Sequence, residues 1–407
     1  MKAKFSISGP GVLVAAAFIG PGTVTVCSIA GVTFGFALIW AIVLSVIATI
    51  VLQEMAARLG LISGKGLSEI IRNDLNNPIV KWGVIILIVS SIIIGNAAYE
   101  AGNISGGVLG LESLGYSGAI EVGTFSINYW SIIIGLLAGI LLYLGSYKVL
   151  ERVLVSLVII MSVAFIVTAI VTKPDIVGML KGAIIPSFPE ESTFTIIALI
   201  GTTVVPYNLF LHASLVSEKW KSANNLPTVR QDTIVAIVLG GLVSMAIMIS
   251  AAAIKGDSIA TAADLAKSLE PLFGSYATYF IGVGLGAAGL TSAITAPLAA
   301  AYVAQGCFGW GKGTRDWRFR IVWIIILLLG VFFSSAGYKP VDIIKFAQVA
   351  NGILLPVIAG YLIYMANKKQ ILGVYVNTRV QNIIGIVVWL IVFGLGLKSV
   401  LKVFGVL

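Results

Sequence analysis

The sequence predicts an all-α, polytopic membrane protein organised around two broken helices. Three observations carry that expectation. Hydrophobic residues make up 58% of the 407 and charged residues only 11%, with a mean hydropathy of +1.05, the composition of a chain that lives in a bilayer. The apolar residues gather into eleven runs of membrane-spanning length. Two of those runs are interrupted at mid-length by a proline, at Gly20-Pro21-Gly22-Thr23 and at Val205-Pro206-Tyr207-Asn208.

Proline lacks an N–H and its ring clashes with the preceding helical turn, and Gly20 and Gly22 remove the last obstacle to unwinding. Each interruption therefore predicts two half-helices meeting near mid-membrane. The backbone groups freed at such a break are costly in hydrocarbon and need protein, water or a ligand as partners. Paired breaks in corresponding helices are the sequence mark of an inverted-repeat transporter with its site at the midplane.

Taken in order, the spans fall at about residues 9–33, 36–58, 82–110, 129–146, 150–172, 193–217, 232–254, 275–304, 319–336, 341–366 and 380–404. Five and five make two repeats, about 9–172 and 193–366, with an extra helix at about 380–404, all in one domain. The stretch 173–192, with Pro174, Pro186 and Pro189, reads as their connector. Of the 26 Lys and Arg residues, 18 fall on the side of the N-terminus. That bias predicts a multi-pass protein of the cell membrane with a cytoplasmic N-terminus and an outside C-terminus. Lys2 and Lys4 lead directly into the first span, so no cleavable leader is expected.

The net charge of +9 is spread through loops and does not predict nucleic-acid binding. Cys27 and Cys307 have neither metal-site nor disulfide spacing. Gly64-Lys65-Gly66 is too short for a phosphate loop. No nucleophile–base set predicts an enzyme, no filter sequence predicts a channel, and nothing calls for a cofactor or a second subunit. The expected form is a monomer.

Several stretches resemble one family. Leu52-Gln53-Glu54-Met55-Ala56-Ala57-Arg58 with Ser63-Gly64-Lys65, Ala98-Tyr99-Glu100, Pro206-Tyr207-Asn208-Leu209-Phe210-Leu211-His212, Gly286-Ala287-Ala288-Gly289-Leu290-Thr291-Ser292, and Gln348 with Leu355-Pro356 are similar, in matching order, to motifs of the NRAMP-type metal transporters. The resemblance implies the LeuT-type fold and secondary active transport. In that family the first break reads Asp-Pro-Gly-Asn and the sixth helix Met-Pro-His, with metal-binding side chains. This chain has Gly20, Thr23, Val205 and Tyr207 at those positions.

Two functions follow. With no carboxylate at the first break, the positive ends of the half-helices after Gly22 and Pro206 suit an anion, and the glycines leave room. This favours a small organic acid or amino-acid-like solute moved with a coupling cation, a proton first. Its binding residues are expected to be Gly20, Gly22, Thr23, Thr202, Val205, Tyr207, Asn208 and Gln348, with Asn351 bordering, and no metal site. The alternative is a proton-coupled divalent metal transporter of the manganese or magnesium type. In both, Glu100, the carboxylate deep within a span, is the candidate proton relay, joined by His212, the one histidine. Glu54 and Arg58, four apart, read as a local helix pair.

Overall fold

The computed structural model describes residues 10–11, 19–75, 77–122, 125–145, 148–254, 259, 261–311 and 315–403. The helices are α1 Pro21–Phe34, α2 Ile39–Ser63, α3 Leu67–Asp74, α4 Pro78–Ser113, α5 Tyr129–Leu144, α6 Lys148–Val171, α7 Ile176–Ile184, α8 Ser192–Thr203, α9 Pro206–Lys219, α10 Leu226–Ala252, α11 Ala262–Lys267, α12 Glu270–Phe273, α13 Ala277–Phe308, α14 Trp317–Ser335, α15 Pro340–Ala366, α16 Lys369–Leu372 and α17 Arg379–Val403. Every expected span has a helical counterpart. Among the described residues eight helices are long and apolar enough to cross a membrane, or nine when a bent pair is taken as one span. The α1 and α5 segments are shorter apolar helices. The first half of span one, residues 12–18, lies outside the described residues, as does the side chain of Asn351.

The connector 173–192 is more structured than expected. Its helix α7 turns 119° away from the end of α6 and presents Ile176, Val177, Leu180 and Ile184 outward. Asp175 caps it by accepting from Val177 N. The turn between α4 and α5 forms an unforeseen hairpin, β1 Ala119–Val122 with β2 Phe125–Asn128, paired antiparallel from Ala119↔Asn128 to Val122↔Phe125. Tyr129 and Trp130 follow it and donate to the carbonyls of Ser117 and Tyr116, an aromatic pairing suited to the membrane interface.

Small residues let the central helices touch backbone to backbone, as membrane packing favours. A Cβ on Gly110 of α4 would stand 2.6 Å from the Gly282 carbonyl oxygen of α13. One on Gly289 would stand 2.5 Å from Gly107 N. Trp389 of α17 docks the extra helix on α15 by donating to the Pro356 carbonyl at 2.8 Å.

Glu54 and Arg58 reach much further than a local pair. Arg58, with 1% of its side chain exposed, meets Glu54 at 3.1 Å and donates to Asn377 Oδ1 at 2.6 Å and to the Tyr375 carbonyl. Glu54 also takes Arg230 of α10 at 2.8 Å. One buried guanidinium thus ties α2 to the segment before α17, and its carboxylate partner ties α2 to α10. Removing Arg58 leaves Glu54 its bond to Arg230 but strips the donor from Asn377 Oδ1 and the Tyr375 carbonyl, at about 1–3 kcal/mol for each buried group left unpaired. Arg230 is 42% exposed, so its loss is screened and should cost under about 1 kcal/mol. Arg58→Ala is therefore expected to lower the melting temperature in detergent far more than Arg230→Ala; equal losses would show that Arg58 is not the hub.

Candidate functional site

Both breaks form, with the prolines opening the second half-helix rather than lying in the unwound turn. Pro21 and Pro206 each stand in the first helical turn, where a missing N–H costs nothing. The irregular residues precede them: Gly20 is extended at φ −111°, ψ −173°, and Val204 and Val205 carry ψ of 77° and 120°. Neither Gly20 nor Val205 offers a side-chain cap to the helix that follows.

The breaks meet. Thr23 Oγ1 and Thr202 Oγ1 lie 2.8 Å apart, both buried, across 179 positions of sequence. Gln348 of α15 packs onto the first break so closely that a Cβ on Gly22 would collide with its amide nitrogen. Pro21 is held likewise from α4, where a Cβ on Gly106 would collide with its ring. The Tyr207 ring meets Tyr99 of α4 edge-on, with centroids 5.5 Å apart at 67°. Spans one, three, six and ten thus converge on one point.

That point is rich in buried polar atoms without a protein partner. Both amide atoms of Asn208, the Gln348 carbonyl oxygen and the Tyr207 hydroxyl make no hydrogen bond, and neither do the Thr25, Ser28 and Ser292 hydroxyls. Each such group costs about 1–3 kcal/mol when left dry and unpaired. The last carbonyls of α8 add acceptors, since the final turn of a helix has no intrahelical donors, and they form the negative end of its dipole.

The two expected relay residues have their hydrogen-bond partners outside the breaks. Glu100 is fully buried. One oxygen accepts from Asn103 Nδ2 at 3.3 Å and the other has no partner. Its side chain packs on α14, where a Cβ on Gly330 would collide with it. His212 is also buried, with Nδ1 2.7 Å from Gln53 Oε1 and Nε2 3.5 Å from Thr233 Oγ1. Both ring nitrogens thus have protein groups within hydrogen-bonding distance, and Thr233 Oγ1 also donates to the Val229 carbonyl at 2.8 Å. Tyr99, Gln53 and Ser292 were not expected at these places, although each lies inside a motif quoted for the resemblance.

No group of three or more His, Cys, Asp or Glu residues capable of gripping a metal occurs among the described residues. Any cation here must be held by hydroxyl, amide and carbonyl oxygens, a hard ligand set.

Comparison with known proteins now adds a family and a fold. The family model described as natural resistance-associated macrophage protein-like matches residues 11–402. The chain is 30% identical over 410 residues to the divalent metal cation transporter MntH of Yersinia pestis, covering 97% of this chain and 94% of that one. It is also 30% identical to MntH of Klebsiella pneumoniae, with 97% and 93% covered. Among solved structures it superposes on an Eremococcus coleocola manganese transporter with a TM-score of 0.76 at 20% identity, covering 99% of this chain and 89% of that one. A nucleobase-cation-symport-1 family transporter gives 0.55 at 14%, with 98% and 94% covered.

The expectation of an organic acid or amino-acid-like substrate is overturned by these relatives. The structure supplies the physical reason. The room assigned to Gly22 is taken by Gln348, and the break exposes the carbonyl end of α8 as well as the N–H ends of α1 and α9. If the Thr23–Thr202 bond joins the two breaks, a double-mutant cycle of Thr23→Val and Thr202→Val should give a coupling energy of about 1 kcal/mol. Strict additivity of the two melting losses would show that the hydroxyls act independently.

Proposed function

The chain belongs to the family of natural resistance-associated macrophage protein-like transporters, and on that premise we propose that it carries a divalent metal cation across the cell membrane through the site between its two helix breaks. The observation that carries this reading is the set of buried, unpartnered Asn208, Gln348 and Tyr207 side-chain atoms beside the break. A cation with its water supplies what those oxygens lack.

The ligands decide which cation. Dehydrating a bare ion into a medium of low dielectric costs tens of kcal/mol, and neutral oxygens do not cancel a double charge. The cargo therefore keeps much of its inner water shell. Magnesium dehydrates reluctantly and accepts such a site, and manganese shares its preference for oxygen. Thioether is the ligand that selects softer metals, and the position for it is Val205. The substrate is accordingly a hard cation of the manganese or magnesium type, bound at about millimolar strength.

Glu100, buried on α4, is the carboxylate available to offset the charge or to exchange a proton for it. His212 meets Gln53 and Thr233 and so ties α2, α9 and α10 together. The Lys and Arg bias supports an N-terminus in the cytoplasm.

Proteoliposomes holding the protein should take up manganese and magnesium in mutual competition. Gly22→Val, which drives Gln348 off the break, and Asn208→Ala should each reduce the rate about tenfold or more. Uptake of neither metal by protein shown to be folded would sink the reading. A second measurement tests the ligand argument: Gly20→Asp with Val205→Met adds a charge and a soft ligand. That variant should tighten manganese binding relative to magnesium in calorimetry, and an unchanged ratio would mean the cargo does not pass between these residues.

A further inference from the structure

A second site lies away from the breaks, at the end of the bundle that faces the cytoplasm in this orientation. A cavity of about 420 Å³ opens there between the turn Gly64-Lys65-Gly66, α3, the end of α9 and the end of α13. Its size falls in the range that holds small ligands, about 300–1,000 Å³. We propose that it binds a small phosphorylated anion.

The charges favour an anion. Lys65, Arg72 and Lys221 line the cavity, against Glu69 and Glu218. None of these five makes an ion pair among the described residues, whose salt bridges join other groups. Lys221 donates to the Ser217 carbonyl at 2.6 Å, which fixes its ammonium without neutralising it. A divalent cation using Glu69 and Glu218 would face three positive groups at short range.

The donors favour one too. α3 begins at this cavity with Gly66 as its N-cap, which has no side chain to cap it, so its first N–H groups and positive dipole end stay available. That feature alone would not make a site. The second observation is Ser68, in the first turn of α3. It lines the cavity, is only 4% exposed, and its hydroxyl makes no hydrogen bond among the described residues. Arg72 follows one turn later. Its guanidinium is a fork suited to two phosphate oxygens, while Lys65 and Lys221 add point charges.

The walls are shaped around these donors. A Cβ on Gly306 would collide with Ser68 Oγ, one on Gly309 with the Arg72 guanidinium, and one on Gly66 would stand 2.6 Å from Ser214 Oγ. Three glycines thus let α13 and α9 close over the start of α3. An anion seated there ties α9, the second half of the broken sixth span, to α3 and α13.

The phosphate can belong to a free metabolite or to a lipid headgroup at the membrane surface, and the test has an arm for each. Full-length protein in phosphatidylcholine nanodiscs is titrated with sodium pyrophosphate by calorimetry, and its melting temperature is compared in discs with and without phosphatidic acid. The expected result is binding in one arm that Arg72→Gln and Lys221→Gln each weaken about tenfold, the value of one charged hydrogen bond. Ser68→Ala, which removes only a hydroxyl, should weaken it several-fold and keeps the test open if Arg72→Gln melts early. A pyrophosphate response assigns a soluble ligand, and a response to phosphatidic acid alone assigns a headgroup. No response in either arm, a response unchanged in all three variants, or binding of manganese chloride alone that is lost in Glu69→Gln would overturn the proposal. Manganese uptake by the same variants distinguishes failure here from failure of the transport reading.

Discussion

The centre of this protein depends on how a broken backbone is tolerated in hydrocarbon. An unwound turn at mid-membrane is stable only where protein, water or cargo replaces the lost helical hydrogen bonds. Here the two unwound turns lie against each other. The Thr23–Thr202 bond fixes their separation, Gln348 closes over Gly22 and the Gly106 face of α4 presses on Pro21. Each break is thus covered by elements from elsewhere in the chain, and that is why helices far apart in sequence share one small site.

Covering the breaks does not satisfy everything in them. Asn208, Tyr207 and Gln348 together keep four side-chain polar atoms unpaired, and at about 1–3 kcal/mol each that is a sizeable strain on a fold whose whole stability is on the order of 5–15 kcal/mol. A packing role alone would be met better by apolar side chains of the same shape. A cargo that arrives with its own water relieves the strain on binding and restores it on leaving, which is the behaviour a carrier needs. The same logic separates His212 from the site. Both its ring nitrogens lie against Gln53 and Thr233, whereas the polar atoms at the break have no such neighbours.

Much of this was legible in the sequence. Hydropathy locates the spans, the prolines locate the breaks to within two residues, and the sequence singles out Thr23, Thr202 and Gln348, which the structure brings together at the breaks. What escaped depends on side chains arriving from distant segments. Periodicity and local spacing carry no information on whether Gln348 fills the space beside Gly22, and that contact is what turns an apparently roomy break into a tight one. The reach of Arg58 to Asn377 and Tyr375 is hidden behind its obvious neighbour Glu54 for the same reason. The hairpin 119–128 lacks a two-residue Asn-Gly or Asp-Gly signal and is too short for an alternating pattern to stand out. Glu100 shows a subtler limit. Its depth in a span is plain from the sequence, but not the direction it faces, towards Gly330 on α14.

Family membership and ligand chemistry pull apart at the break, and charge is where they are reconciled. The relatives named as divalent metal transporters belong to a family whose motif places a carboxylate, an amide and a soft sulfur at the break. Here glycine, threonine and valine stand in their place. A double positive charge in such a neutral cage is stable only if its hydration is retained or a carboxylate lies within Coulombic reach. At an effective dielectric near 20, a carboxylate within Coulombic reach favours a divalent ion by roughly a few kcal/mol. That is far less than a direct bond to a dehydrated ion supplies, but it is enough to bias a hydrated one. The absence of those side-chain ligands and the presence of Glu100 both support the proposed reading, in which the cation keeps its water and is chosen by size and charge rather than by softness.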